Sequence, residues 1–503
     1  MNPNLRTPPK PVLLLVLDGI RPDVMRSAIG DGDAPALGAI AERGEARWDA
    51  VSVFPSITPA ATAAIATGEP PSGTGILGHA WYDENEDEIV VYGAKTETVI
   101  STGPIKVLHN NVWRMNRDDL IAPTIFESLD DVGVDAACVH FPVRRGPHEH
   151  PVRMKTVEGY LKGSRYLSPS VSGPKEYFLG DLFYSTEFGT NGRNGNGGFQ
   201  RSVGINDEYA AAVGARLVAE KVAPFNLVYF FHGDKVAHHE GISAQRRHVA
   251  KLDGFVSKIM EAAGGVDEFL AENAVIAVSD HGHAPLLPKR RFVNLAKVRG
   301  YKVSLGARAG FSAGADIVAV PNGRAALLYL RDAPKSVADV AERLSGRKGV
   351  DLASWREEGW VAVRRVGREM RFRPGAGATD RYGDSWEIEG DHRALGVEVS
   401  DGKVHYGDYP DALSRLWGCL ASSRSGDVVL SASPGHTFGE VSGGYHQASD
   451  HGSLHREDSE VFSIACGVPA PEKITDVAPT ILAHFIEDEN GVSAAKVAEE
   501  NVG

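Results

Sequence analysis

Three separate stretches of this chain run through a short unbroken apolar segment and then break at once into acidic, imidazole and glycine residues. They are LLLVLDG, ending at Asp18 and Gly19; LVYFFHGDKVAHHEG, carrying Asp234, His238 and His239; and AVIAVSDHGHAPL, carrying Asp280, His281 and Gly282. Five or six apolar residues without polar alternation mark a strand covered on both faces, as in parallel sheets sandwiched between helices. Similar runs occupy 136–141, 325–330 and 461–466, and helical stretches fall at 36–44, 59–66, 121–130, 208–222, 244–263 and 337–344. Strands alternating with helices predict an α/β layered fold with a mostly parallel sheet. In such sheets ligands sit at the carboxyl ends of the strands, which is where the three polar breaks fall.

With 503 residues, the chain can bury a large core without disulfides. Its 42% hydrophobic and 24% charged residues exclude a disordered, collagenous or coiled-coil chain. A net charge of −13 argues against bulk nucleic acid as a partner, while leaving room for a local site that takes one phosphate. Cys138, Cys419 and Cys466 are odd in number and far apart, so they read as reduced thiols and not as a disulfide framework or a cysteine zinc site. The first apolar run, 12–17, is too short for a membrane helix and has no small-residue cleavage site; a buried strand and a cytoplasmic protein are expected.

The core is expected to comprise about 11–83, 121–143, 205–285 and 425–490. Insertions at about 84–120, 144–204 and 286–424 are expected to form a cap or accessory subdomain. The Gly- and Asn-rich run 189–198 reads as a flexible loop.

Five places carry chemistry. Asp18 offers a carboxylate at a strand end, although Asp-Gly can equally be a plain turn. In FPSITP, Thr58 stands just before Pro59, where it can be an ordinary helix N-cap or a nucleophile held at the positive end of a helix; Ser56 and Thr62 are nearby alternatives. Asp234 and His238 are four apart and share a helical face, a plausible O,N pair for zinc, with His232 and His239 outside that pair. Asp280 and His281 precede Gly282, whose freedom allows both side chains to face one centre. The late stretch GGYHQASDHGSLHRED offers His446, Asp450, His451 and His455; His451 is preferred because it repeats the Asp-His-Gly turn. Asp18, Asp280 and His281, with Thr58 at an open position, form one N/O set. Asp234, His238 and His451 form another. Clustered carboxylates repel one another, and two divalent ions about 3.5–4 Å apart would neutralise them and clamp a phosphoryl group.

These motifs resemble the alkaline phosphatase superfamily, and within it the nucleotide pyrophosphatase/phosphodiesterase branch. That branch's F-P-T-x-T-F-P-N, T-G and P-x-x-H-G-I-x-G-N-x-W-Y-D are matched at Phe54, Pro55, Ser56, Thr58, Thr67, Gly68, Pro71, Gly75, Ile76, Gly78, Trp81, Tyr82 and Asp83. Its D-x-x-x-H-x-x-G is matched at Asp234, His238 and Gly241, its S-D-H-G at Ser279 to Gly282, and its late H-G at His451 and Gly452. The resemblance implies a three-layer sandwich whose mostly parallel central sheet has helices on both faces. It also implies two Zn2+ (Mn2+ or another divalent ion being the alternative), one held by Asp18, Thr58, Asp280 and His281, the other by Asp234, His238 and His451. Thr58 would then be the nucleophile of a hydrolase acting on phosphodiester or pyrophosphate bonds through a phospho-threonine, on a small phosphorylated substrate such as a nucleotide. The alternatives are a phosphomonoesterase or phosphotransferase on the same core, and a non-catalytic metal-binding scaffold. The chain departs from the pattern at Ala61, where the family Asn donates to a phosphoryl oxygen, and at Thr74 and His79. His79, Arg144 and Arg145, chosen by type and by position near expected strand ends, are the candidate replacements for that donor.

Overall fold

The computed structural model describes residues 9–93, 102–153, 168–183, 204–289, 291–305, 314–331, 336–440 and 447–490; the expected loop 189–198 lies outside them. Among the described residues the central sheet has seven strands: β1 (Val12–Leu17), β2 (Glu45–Val51), β3 (Ala136–Val139), β4 (Glu176–Phe178), β5 (Phe225–Phe230), β6 (Ala274–Val278) and β7 (Glu460–Cys466). Across the sheet they run β2-β7-β6-β1-β5-β3-β4. β6, β1, β5, β3 and β4 are mutually parallel, and β7 runs antiparallel to both of its neighbours. Val12 pairs with both Ala274 and Phe225, and Val16 with both Val278 and Tyr229. This level register brings Asp18, the start of the 232–240 helix and Asp280 to one edge.

Alternate residues of β1 enter different cores. Val12, Leu14 and Val16 face α3 (Thr58–Thr67), α4 (Ile125–Asp131) and α8 (Val477–Asn490). Leu13, Leu15 and Leu17 face α1 (Pro22–Gly30), α2 (Pro35–Arg43), α5 (Asp207–Ala219) and α7 (Ile242–Ala262). Each side chain of the run is therefore removed from water, which is why it has no polar alternation. The three-layer expectation holds. Between α5 and α7 lies α6 (His232–Glu240), which leaves the carboxyl end of β5.

Part of the expected strand set belongs elsewhere. Residues 325–330 do form a strand, but it is antiparallel to Ile317–Gly323 and Val428–Ala432 in a second sheet, of eleven strands among the described residues, assembled from Val303–Leu305 through Gly439–Glu440. That sheet meets the core beside the late Asp-His-Gly turn. Asn322 bridges both the N–H and the C=O of Ala80, at 3.0 and 2.8 Å, and the Arg324 N–H donates to the His451 carbonyl at 2.8 Å. The Arg324 guanidinium, wholly buried, donates to the equally buried Asp458 at 2.6 Å. Asp458 in turn accepts from the Ser453 N–H with its other oxygen and from the Gly282 N–H with its carbonyl. One ion pair thus ties the loops that carry His281 and His451. Breaking it strands a charge away from water. Arg324→Met is expected to lower unfolding stability by about 3–5 kcal/mol in urea denaturation; a loss under about 1 kcal/mol would show that the pair does not hold these loops.

Candidate metal centre

Asp18, Asp280 and His281 meet at the carboxyl ends of β1 and β6. Asp18 directs one oxygen to the Tyr229 hydroxyl, which donates to it, while Oδ1 has no hydrogen-bond partner. Asp280 accepts from the N–H groups of Gly19 and His281 through Oδ1, each at 3.0 Å, and its buried Oδ2 has no partner. His281 Nδ1 donates to the Gly282 carbonyl at 3.0 Å, so in the neutral ring the lone pair of Nε2 faces Asp18 Oδ1 at 3.4 Å and Asp280 Oδ2 at 3.5 Å. Two buried carboxylate oxygens and an imidazole lone pair therefore surround one point with nothing but acceptors, the donor set a divalent cation satisfies.

Thr58 completes this group. The helix it opens has Ile57 at its N-cap, and the Thr58 side chain makes no capping bond. The capping role weighed from the sequence is thus replaced by a contact with the cluster: Thr58 Oγ1 lies 3.1 Å from His281 Nε2. Ser56 and Thr62 bond to backbone carbonyls instead.

The second group forms on α6. One helical turn brings His238 Nε2 to 3.1 Å from Asp234 Oδ1, and His451 Nε2 approaches the same oxygen at 3.3 Å. His238 Nδ1 donates to the Ser449 carbonyl and His451 Nδ1 to the Ser56 carbonyl, both at 2.9 Å, which aims both Nε2 lone pairs inward. His283 joins them with Nε2 2.9 Å from Asp234 Oδ1. The sequence reading passed over His283, although its place two residues beyond His281 on the chain leaving β6 was the available signal. The two groups touch: the His281 and His451 rings stack at 3.7 Å. Gly19 makes this approach possible, since a Cβ there would lie 2.9 Å from both Asp234 and His283 Nε2.

Without a cation, the carboxylates and imidazoles shift one another's proton affinities. Burial, then the charges of Asp280 and Asp234, hold the Asp18 carboxyl well above its usual range. Burial would depress His281, but Asp280 and Asp18 outweigh it and lift the imidazole to about 10. Burial would raise Asp234, but His238, His283 and His451 pull it well below the usual range.

None of the remaining described candidates belongs to either group. Asp450 accepts from the His451 N–H and the Thr437 hydroxyl, and His455 caps the short helix Arg456–Ser459. His232 lies 3.0 Å from Asp207, His239 is exposed, and His446 falls outside the described residues. Arg144 donates to the carbonyls of Val112 and Pro142 with its guanidinium over the Tyr177 ring, and Arg145 donates to Glu127 and to the carbonyls of Leu120 and Ala122. His79 opens the turn into Ala80–Asp83, its carbonyl accepting from the Tyr92 N–H. Ala61 is fully buried and brings no side-chain donor.

Among the described residues no helix is long and apolar enough to cross a membrane. A family model described as type I phosphodiesterase / nucleotide pyrophosphatase matches residues 12–454. No curated protein matches the chain. Among solved structures, phosphonoacetate hydrolase from Sinorhizobium meliloti 1021, in complex with phosphonoformate, is 20% identical with a TM-score of 0.56, the match covering 95% of this chain and 96% of that one. Murine ectonucleotide pyrophosphatase / phosphodiesterase 5, in an inactive form in complex with AMP, is 12% identical with a TM-score of 0.56, covering 95% and 94%.

Proposed function

The chain belongs to the type I phosphodiesterase / nucleotide pyrophosphatase family of the alkaline phosphatase superfamily, and we propose that it is a zinc-dependent hydrolase of phosphodiester or pyrophosphate bonds with Thr58 as its nucleophile. The observation that carries this reading is the convergence of Asp18, Asp280, His281 and Thr58 beside Asp234, His238 and His451, with buried carboxylate oxygens left unpartnered. Mixed carboxylate and imidazole donors suit zinc better than magnesium or calcium. Tetrahedral zinc with bonds of about 2.0–2.1 Å sets its ligand atoms about 3.3–3.4 Å apart. The contacts to His281 Nε2 at 3.1, 3.4 and 3.5 Å and to Asp234 Oδ1 at 3.1 and 3.3 Å agree with that spacing.

Bound divalent ions would lower the proton affinity of the Thr58 hydroxyl and offset charge on the phosphoryl oxygens. The rest is work for the chain itself. His281 holds Thr58 Oγ at 3.1 Å, and Asp18 and Asp280 flank that imidazole. Thr58 Oγ attacks phosphorus, the bond to the leaving oxygen breaks, and the threonine proton ends on the departing alcohol or phosphate. Water then cleaves the phospho-threonine and restores the hydroxyl. The positive end of the ten-residue helix that Thr58 opens favours the anionic ester. The second sheet, reaching the site through Asn322 and Arg324, would act as the cap that shapes the substrate pocket. A cytoplasmic place of action belongs to the same proposal: Cys138, Cys419 and Cys466 are unpaired, and a reducing compartment keeps them so.

Ala61 favours weighing a second substrate class, because the donor expected there for a phosphoryl oxygen is missing. Turnover of bis-p-nitrophenyl phosphate, p-nitrophenyl phosphate and phosphonoacetate, each with and without chelator, separates the readings. The diester is expected to be the best substrate, with activity lost on chelation and regained with zinc. Monoester-only turnover would replace the diesterase reading with a phosphomonoesterase, and turnover of phosphonoacetate alone would move the cleaved bond from P–O to P–C. No turnover by the metal-loaded protein would favour the scaffold.

A further inference from the structure

His283 sets the Asp234 group apart from the Asp18 group. It is wholly buried, and its Nε2 lies closer to Asp234 Oδ1, at 2.9 Å, than either His238 or His451 does. Its tautomer follows from its other neighbour. The Ser449 hydroxyl donates to the Ala237 carbonyl at 2.6 Å, so that oxygen is left to accept from His283 Nδ1 at 3.3 Å. A proton on Nδ1 leaves a lone pair on Nε2, as in His238 and His451. Three imidazole lone pairs and a carboxylate oxygen then face one another, an arrangement of acceptors that a shared cation reconciles.

The rings support one centre. His283 lies 4.8 Å from His238 and 4.9 Å from His451, with His238 and His451 5.1 Å apart, at interplanar angles of 84°, 65° and 48°. Nearly equal spacing at steep angles is a fan around a point, unlike the parallel stack of His281 on His451. Among the described residues the Asp18 group offers Asp18, Asp280 and His281, and its fourth neighbour is the Thr58 hydroxyl.

We infer that His283 is a fourth protein ligand of the Asp234 centre, which is closed by Asp234, His238, His283 and His451, while the Asp18 centre keeps the open position that meets Thr58 and substrate. This rests on the two-centre reading above. Four protein ligands are the mark of an ion that is retained, and three with an open position the mark of one that does chemistry. The Asp234 ion should therefore fill first and leave last. The competing role for His283 is to donate Nε2–H to Asp234 and merely orient it.

Cadmium-113 loaded into protein carrying nitrogen-15 histidine distinguishes the two roles, because scalar coupling crosses only a direct metal–nitrogen bond. The expected spectrum has one cadmium coupled to three imidazole nitrogens and another coupled to one. In His283→Gln the first loses one coupling, and its cadmium exchanges at least about ten-fold more readily. A wild-type cadmium coupled to only two imidazoles would overturn the inference and leave the hydrolase reading intact. Failure to bind cadmium at either group would instead overturn the two-centre reading. The wild-type count decides the matter even if the variant does not fold.

Discussion

Replacing Thr58 by alanine is expected to cost turnover on the order of 10⁴-fold or more, as loss of a covalent nucleophile does in other hydrolases, while the fold and metal content stay nearly unchanged. The asymmetry follows from what Thr58 touches. Its hydroxyl contacts His281 Nε2 at 3.1 Å and makes no capping bond, because Ile57 holds the N-cap position. Thr62 bonds the Thr58 carbonyl, which alanine keeps. Alanine is also the better helix former, so the structural change should stay within about 0.5 kcal/mol. Thr58→Ser, which restores an oxygen, should recover much of the lost rate. Diesterase turnover of Thr58→Ala within ten-fold of wild type would remove Thr58 from the chemistry.

Asp280→Asn should separate stability from activity with opposite signs. The amide oxygen can keep the two bonds that Asp280 Oδ1 accepts from Gly19 and His281, so the loop should hold its shape. What changes is the charge at Oδ2, which is fully buried and unpartnered. With metal supplied, the variant should lose the ion of the Asp18 centre and turnover on the order of 10³-fold, since several kcal/mol of charge stabilisation go with it. Under chelator the same variant should be more stable than wild type by about 1–3 kcal/mol, because a buried like charge has gone.

The pH dependence has a definite sign. Asp18 binds its proton more tightly folded than unfolded, so the folded state holds the extra proton and chelated wild type loses stability as pH climbs above the ordinary carboxylate range. The fall should be shallower in Asp280→Asn, where the charge that raises Asp18 most is absent. Urea denaturation under chelator across that range reads both effects. A less stable chelated variant, or one that keeps wild-type turnover, would contradict this assignment.

The site was legible in the sequence to the extent that its residues sit at the ends of local patterns. Asp18, Asp280 and His281 follow apolar strands whose level register brings them together, and Asp234 and His238 need only one helical turn. His283 was harder to read because Asp-His-Gly already formed a complete motif. Its role comes from a helix and a loop, contributing Asp234 and Ser449, that are remote in sequence.

The run 325–330 resembled the parallel core strands for a physical reason. Alternate residues of the strand Ala325–Leu330 enter two different cores, Leu327 and Tyr329 the one shared with the central sheet, Ala326 and Leu328 the one beneath the helix Val337–Ser345. Burial on both faces erases polar alternation whichever way a strand runs, so an antiparallel strand looked parallel. The same holds for β7, with Val461 on one side and Phe462 and Ile464 on the other. For Arg144 and Arg145 the position near a strand end was right, but nothing local foretold that their guanidiniums would be drawn into carbonyls of 112–142 and Glu127.

The most direct measurement is a crystal structure of the zinc-loaded protein, with diffraction recorded on both sides of the zinc absorption edge. The account predicts two anomalous peaks, one among Asp18, Asp280, His281 and Thr58, the other among Asp234, His238, His283 and His451. Density without a metal at either cluster, or zinc bound only elsewhere on the chain, would contradict it.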